Sequence, residues 1–163
     1  MASFDTETFI IDSADPDDLV EVLDEAAGTP GAWVNVEPDI DDALRDEVSG
    51  LFAWFSAKGA QVPVGTFVAG TGRDVPSIGV DHGYGRGAGD RLREANLSAP
   101  GGWLLRQDHP KRGLVWEAPR EEPGLADPIG HGPLAQFLME ATSLFCPLPT
   151  DGRFRISVHT PRR

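Results

Sequence analysis

Two Asp-His dipeptides hold the groups best suited to chemistry in this chain: Asp81-His82 stands before a glycine and Asp108-His109 before a proline. Imidazole has an ordinary pKa close to neutrality, and a carboxylate nearby can orient it, so two such dipeptides meeting in space would supply general acid-base catalysis. His82 and His109 are therefore the candidate catalytic residues. Adjacency does not itself create the contact. Neighbouring residues on a strand point to opposite faces, so each Asp is expected to cap its turn rather than to orient its own His. The other two histidines, His131 and His159, are expected to be structural or exposed.

Between and around these dipeptides lies the run His82-Gly83-Tyr84-Gly85-Arg86-Gly87-Ala88-Gly89, followed by Arg91 and Arg93 and then by Arg106, Lys111 and Arg112. A glycine-rich turn entering a helix lets backbone N–H groups approach an anion, and guanidinium groups bind phosphate or carboxylate with two parallel hydrogen bonds. Gly83, Gly85, Arg86, Arg91, Arg106 and Arg112 are accordingly the candidate anion-binding residues. The same arginines could instead pair with acidic residues of the N-terminal helix, the use expected of exposed charge before any ligand. Gly83, Gly85 and Ala88 also satisfy a Gly-x-Gly-x-x-Ala dinucleotide fingerprint, but the glycines continue past the pattern and no parallel βαβ unit frames it. No cofactor is expected.

Other chemistries have little to work with. Cys146 is the single cysteine, which leaves no internal disulfide and no thiolate metal centre; following an apolar helical face, it reads as a small hydrophobe. No metal site is expected. No serine occupies a Gly-x-Ser-x-Gly elbow. The tryptophans are assigned to core filling, with Trp103 and Trp116 facing each other across a hairpin.

The elements that must position these groups follow from periodicity. Residues 4 to 11 read as a strand. Asp15 as N-cap, Pro16 at the first helical position, and Leu19, Leu23 and Ala26 before Gly28 predict a helix over 16–27. A short strand from Trp33 stops before Pro38, and the apolar spacing of Ile40, Leu44, Val48, Leu51, Phe52 and Phe55 predicts a helix with Gly50 as its weak point. Strands over 62–68 and 75–81, a helix through Leu92, a hairpin of 103–107 with 114–116, a connector over 118–130, and a helix beginning at Pro133 come next. Phe154, Ile156 and Val158 alternate with Arg153, Arg155, Ser157 and His159, the clearest period of two in the chain, before a flexible tail over 160–163. Adjacent strands close enough for hairpins favour a single α+β domain over residues 1–163, a mainly antiparallel sheet of about five to seven strands with three or four helices packed on it.

Charge is unevenly spread. Residues 1–47 hold 15 acidic residues against the single Arg45, a balance of -14, whereas the remainder is close to neutral and the whole chain carries -12. Such a field repels nucleic-acid phosphates and attracts basic proteins. No stretch approaches the roughly 18 consecutive apolar residues of a membrane helix, and the acidic N-terminus is unlike a secretory signal, so a cytoplasmic location is expected. The primary functional expectation is a non-enzymatic binding or interaction module for a basic protein. The alternative is a small enzyme or ligand-binding domain acting on an anionic small molecule through turn 82–89.

Overall fold

The computed structural model describes residues 3–44, 62–120 and 130–162. Its strands are β1 (Phe4–Asp12), β2 (Trp33–Pro38), β3 (Val64–Val68), β4 (Ser77–Asp81), β5 (Leu104–His109), β6 (Gly113–Glu117) and β7 (Arg153–Pro161). The helices are α1 (Asp17–Ala27), α2 (Ala88–Glu94) and α3 (His131–Phe145). Residues 42–44 are also helical; the rest of the helix expected over 40–55 lies outside the described residues, as does most of the 118–130 connector.

All seven strands join one sheet in the order β1-β7-β2-β3-β4-β6-β5, and every pairing is antiparallel. The α+β architecture expected from sequence is the one observed. Strand β7 enters between β1 and β2 and pairs along its whole length with β1. Its alternation decides which face is covered: Phe154 and Ile156 lie in the core, while Arg155, Ser157 and His159 look out from the other side. On the covered face Val34, Val36, Phe67, Ile78, Val80, Leu114 and Trp116 meet Leu19 and Leu23 of α1 and Leu134, Leu138 and Phe145 of α3. Gly65 allows α3 to ride this low, since a Cβ there would come within 3.1 Å of Leu138 and 3.2 Å of Thr142. The buried Thr142 hydroxyl donates to the Leu138 carbonyl at 2.8 Å, so the core contains no stray hydroxyl at this contact.

Several boundaries differ from the sequence reading. Helix α1 begins at Asp17 with Pro16 in the cap position; Asp15 does not cap it. The Asp12 carboxylate takes the Ala14 N–H instead, and the Val20 N–H reaches back to the Pro16 carbonyl. Strand β2 includes Pro38, because its pairing with β3 has already ended at Val36 and the missing N–H breaks no bond on that side. Asp108 and His109 belong to β5 rather than to a loop, which shortens the β5-β6 turn to residues 110–112. Leu105, not Trp103, faces Trp116 across this hairpin; Trp116 packs edge-on to Phe137 at 5.3 Å. The expected loose end at 160–163 is in part strand: Thr160 and Pro161 pair with Asp5 and Phe4, and the Arg162 N–H bonds the Ser3 carbonyl.

Gly113 makes the tight β5-β6 connection possible. Its φ is +77°, and a Cβ there would overlap the Val80 carbonyl oxygen of the neighbouring strand. Gly113→Ala is expected to lower unfolding free energy by about 3 kcal/mol, combining left-handed strain with overpacking against backbone. Urea denaturation measures this, and a loss under about 0.5 kcal/mol would show that the turn has room the geometry denies.

Candidate functional site

The sheet places the two predicted catalytic residues, His82 and His109, on opposite faces. His82 continues the inward alternation of Ile78 and Val80, so its ring enters the core and is fully buried, 5.1 Å from the ring of Phe145. Its Nδ1 accepts the Tyr84 N–H at 3.3 Å. The neutral ring therefore carries its proton on Nε2, which has no hydrogen-bond partner among the described residues. His109 has a different task. Its Nδ1 accepts the N–H groups of Lys111 and Arg112, each at 3.1 Å, and so pins the turn.

The two Asp-His dipeptides do interact, though crosswise. Asp108 pairs with Leu114, a core-side residue, so it shares the face of His82, whereas His109 pairs with Gly113 on the opposite side. The Asp108 carboxylate rests against Gly89, where a Cβ would stand 2.6 Å from Oδ2. Burial pushes the His82 pKa below its ordinary 6.5, and the negative charges of Asp81 and Asp108 partly oppose that shift.

The anion-binding candidates are likewise engaged locally. Arg91 pairs with Glu94 at 3.9 Å, Arg93 with Asp90, and the Arg106 Nε with Glu117 at 2.9 Å. Among the described residues none of them reaches the N-terminal helix, which corrects the expected use of these cations. Arg86 and Arg112 are exposed and have no carboxylate partner among the described residues. Gly85 and Gly87 take φ of +90° and +81°, as a turn of this kind needs, but the Tyr84 N–H is spent on His82 and Gly83 contributes only to the half-buried bend. Among the described residues no group of three or more His, Cys, Asp or Glu could hold a metal ion.

Three carboxylates of the acidic third find their cations in β7 and just beyond it instead. Arg155 reaches Asp39 at 3.3 Å and Glu37 at 3.9 Å, Arg153 approaches Asp39 at 3.9 Å, and the Arg162 Nε bonds Asp5 at 2.6 Å. Helix α1 is left out. Of its five carboxylates only Asp24 has a partner, the His131 ring; Asp17, Asp18, Glu21 and Glu25 are exposed and unpaired among the described residues.

Beside α1 lies a feature with no signal in any one segment: a groove of about 1200 Å3, open to solvent. Helix α3 forms its length from Gly132 to Leu144, the start of α1 forms one wall with Pro16, Asp17 and Val20, and Ala95 and Leu97 close the other. Met139 and Phe154 floor it, Val20, Leu97 and Leu144 are half-buried along it, and Asp17 and Glu140 stand at its rim. Glu140 accepts a hydrogen bond from Gln136 at 2.8 Å. No Lys, Arg or His lines it.

A third constellation occupies the sheet face turned away from the helices. Trp33 stacks on His159 at 4.6 Å and takes the edge of Phe4 at 4.5 Å. Asn35 accepts the Thr66 hydroxyl at 3.0 Å and donates to His159 Nε2 at 3.4 Å, which leaves Nδ1–H to donate to Thr6 at 2.9 Å. The groups satisfy one another across four strands, an arrangement that fixes register.

The buried state of His82 predicts the response to acid. With its folded pKa below the unfolded one, the unfolded chain binds the extra proton, so stability is full above pH 6.5 and declines as pH falls through the folded value. The slope in that window is at most about 1.4 kcal/mol per pH unit. His82→Phe, which keeps an aromatic ring beside Phe145, is expected to flatten it. Thermal melts of both proteins on a pH series measure the difference; equal slopes would mean that other groups govern acid sensitivity.

Compared with known proteins, the chain matches no family model, no curated protein and no solved structure.

Proposed function

We propose that this protein is a non-enzymatic interaction module whose α1 surface receives a basic protein partner. The observation that supports the reading is the distribution of compensation. Asp5 on β1, Glu37 on β2 and Asp39 just after it meet Arg162, Arg155 and Arg153, whereas four of the five carboxylates on α1, like Glu7 on β1, meet no cation among the described residues. Successive members of the set 17, 18, 21 and 25 are one to four residues apart on one helix, about 6 Å or less along its axis and inside the roughly 8–10 Å over which salt leaves charges coupled, so neighbours act on a partner together. Catalysis by His82 and His109 draws no comparable support, since one ring is buried and the other holds a turn.

The test is a salt titration of binding to a fluorescently labelled arginine-rich peptide without fixed structure. The wild type is expected to bind at low ionic strength and to weaken as salt rises. Asp17→Asn, Asp18→Asn and Glu21→Gln together should cost about tenfold in affinity, with the circular dichroism spectrum of the folded protein preserved. Equal binding by the neutralised protein, or none by the wild type, would rule the reading out.

A further inference from the structure

We infer that the groove between α1, α3 and residues 95–97 is the docking site for an amphipathic α-helix with a basic face, supplied by a partner protein. The inference rests on the acidic-surface reading above and names what that surface grips. Three features of the groove converge on this occupant. Its volume of about 1200 Å3 exceeds the roughly 300–1,000 Å3 of small-molecule pockets, and it is open along its side, which suits a chain segment. From Gly132 to Leu144 it follows one helix for about 18 Å at 1.5 Å per residue, the length of three turns of a second helix.

Backbone chemistry then selects helix over strand. Past its first turn the α3 wall has its N–H and C=O groups committed to helical bonds, and where the chain lines the groove at Ser13 and Gly152 the Ser13 N–H donates to the Gly152 carbonyl at 2.8 Å. An extended peptide laid here would bury unpaired main-chain groups, at about 1–3 kcal/mol each, whereas a helix arrives with its own satisfied. Edge strands that could take an extended peptide, β1 and β5, lie at the two ends of the sheet.

Charge decides the character of the occupant's outer face. Val20, Leu97, Met139 and Leu144 offer an apolar seat, while Asp17 and Glu140 stand over it with no cation in the lining. A helix with apolar residues at i, i+3, i+4 and i+7 fills the seat and brings Lys or Arg to the rim. A neutral or acidic helix would bury the seat but meet uncompensated carboxylates.

Two labelled peptides of one composition test this: a leucine-lysine sequence patterned as an amphipathic helix, and a permutation that destroys the apolar stripe. Anisotropy titrations should show the patterned peptide binding about tenfold more tightly. Its amide chemical-shift changes in the protein should centre on Val20, Leu97, Met139 and Leu144, and Val20→Lys should remove the preference while leaving the circular dichroism spectrum unchanged. Should Val20→Lys fail to fold, Leu144→Lys and the wild-type shift map give the same discrimination. Equal affinity for both peptides, with shifts confined to exposed α1, overturns the groove inference and leaves the basic-partner reading standing. Failure of both peptides to bind at low ionic strength overturns both readings.

Discussion

The placement of β7 between β1 and β2 is the constraint on which the rest of the structure depends. Sequence neighbours could have formed a simple meander, yet the last strand separates the first two and pairs with each over a long register. That insertion carries Arg153, Arg155 and Arg162 into the acidic N-terminal third, where they meet Asp39, Glu37 and Asp5. Half-exposed pairs of this kind contribute only about 0–1 kcal/mol each, so their main consequence is arrangement rather than stability. Asp5, Glu37 and Asp39 are compensated, and among the described residues four of the five carboxylates of α1 are not.

The same insertion gives the sheet two unlike faces. One receives α1 and α3 on Val34, Val36, Phe154 and Ile156. The other shows the chain of hydrogen bonds from Thr66 through Asn35 and His159 to Thr6, with Trp33 stacked on the imidazole. A slip of β7 by one residue would turn Phe154 and Ile156 outward and break every link of that chain at once, so apolar burial and polar pairing specify a single register together.

Local periodicity made much of the fold legible. Apolar spacing at Leu19, Leu23 and Ala26, alternation at Phe154 and Ile156, and the absence of regular strand-helix alternation are short-range signals, and each reports the face that an element buries. What the sequence hides is set by contacts between distant segments. His82 looks like the first residue of a glycine-rich turn, but the alternation of β4 runs one residue further and takes its ring into the core. His159 looks solvated by period, yet its face is where Trp33 and Asn35 arrive from β2. The groove is less visible still, since its lining comes from four separated stretches of chain and its acidic rim from two different helices. The exposed polar positions Gln136, Glu140 and Ser143, spaced four and three apart on a largely apolar α3, hint that this helix has a second, outward side.

Helix α1 shows why the uncompensated charge matters for the reading proposed above. Asp17 and Asp18 favour the positive end of the helix dipole, but Asp24 and Glu25 sit in the last turn with no basic residue there, where the dipole opposes them. Each unfavourable placement costs a few tenths of a kcal/mol, and like charges at i, i+3 and i+4 add comparable penalties. His131 relieves one of these carboxylates from across the fold. The others keep their repulsion in the free protein, and on the proposed reading a cationic helix beside α1 removes it. Part of the binding energy then comes from strain already present in the unbound state, which makes affinity depend on ionic strength more steeply than the apolar area of the groove alone would require.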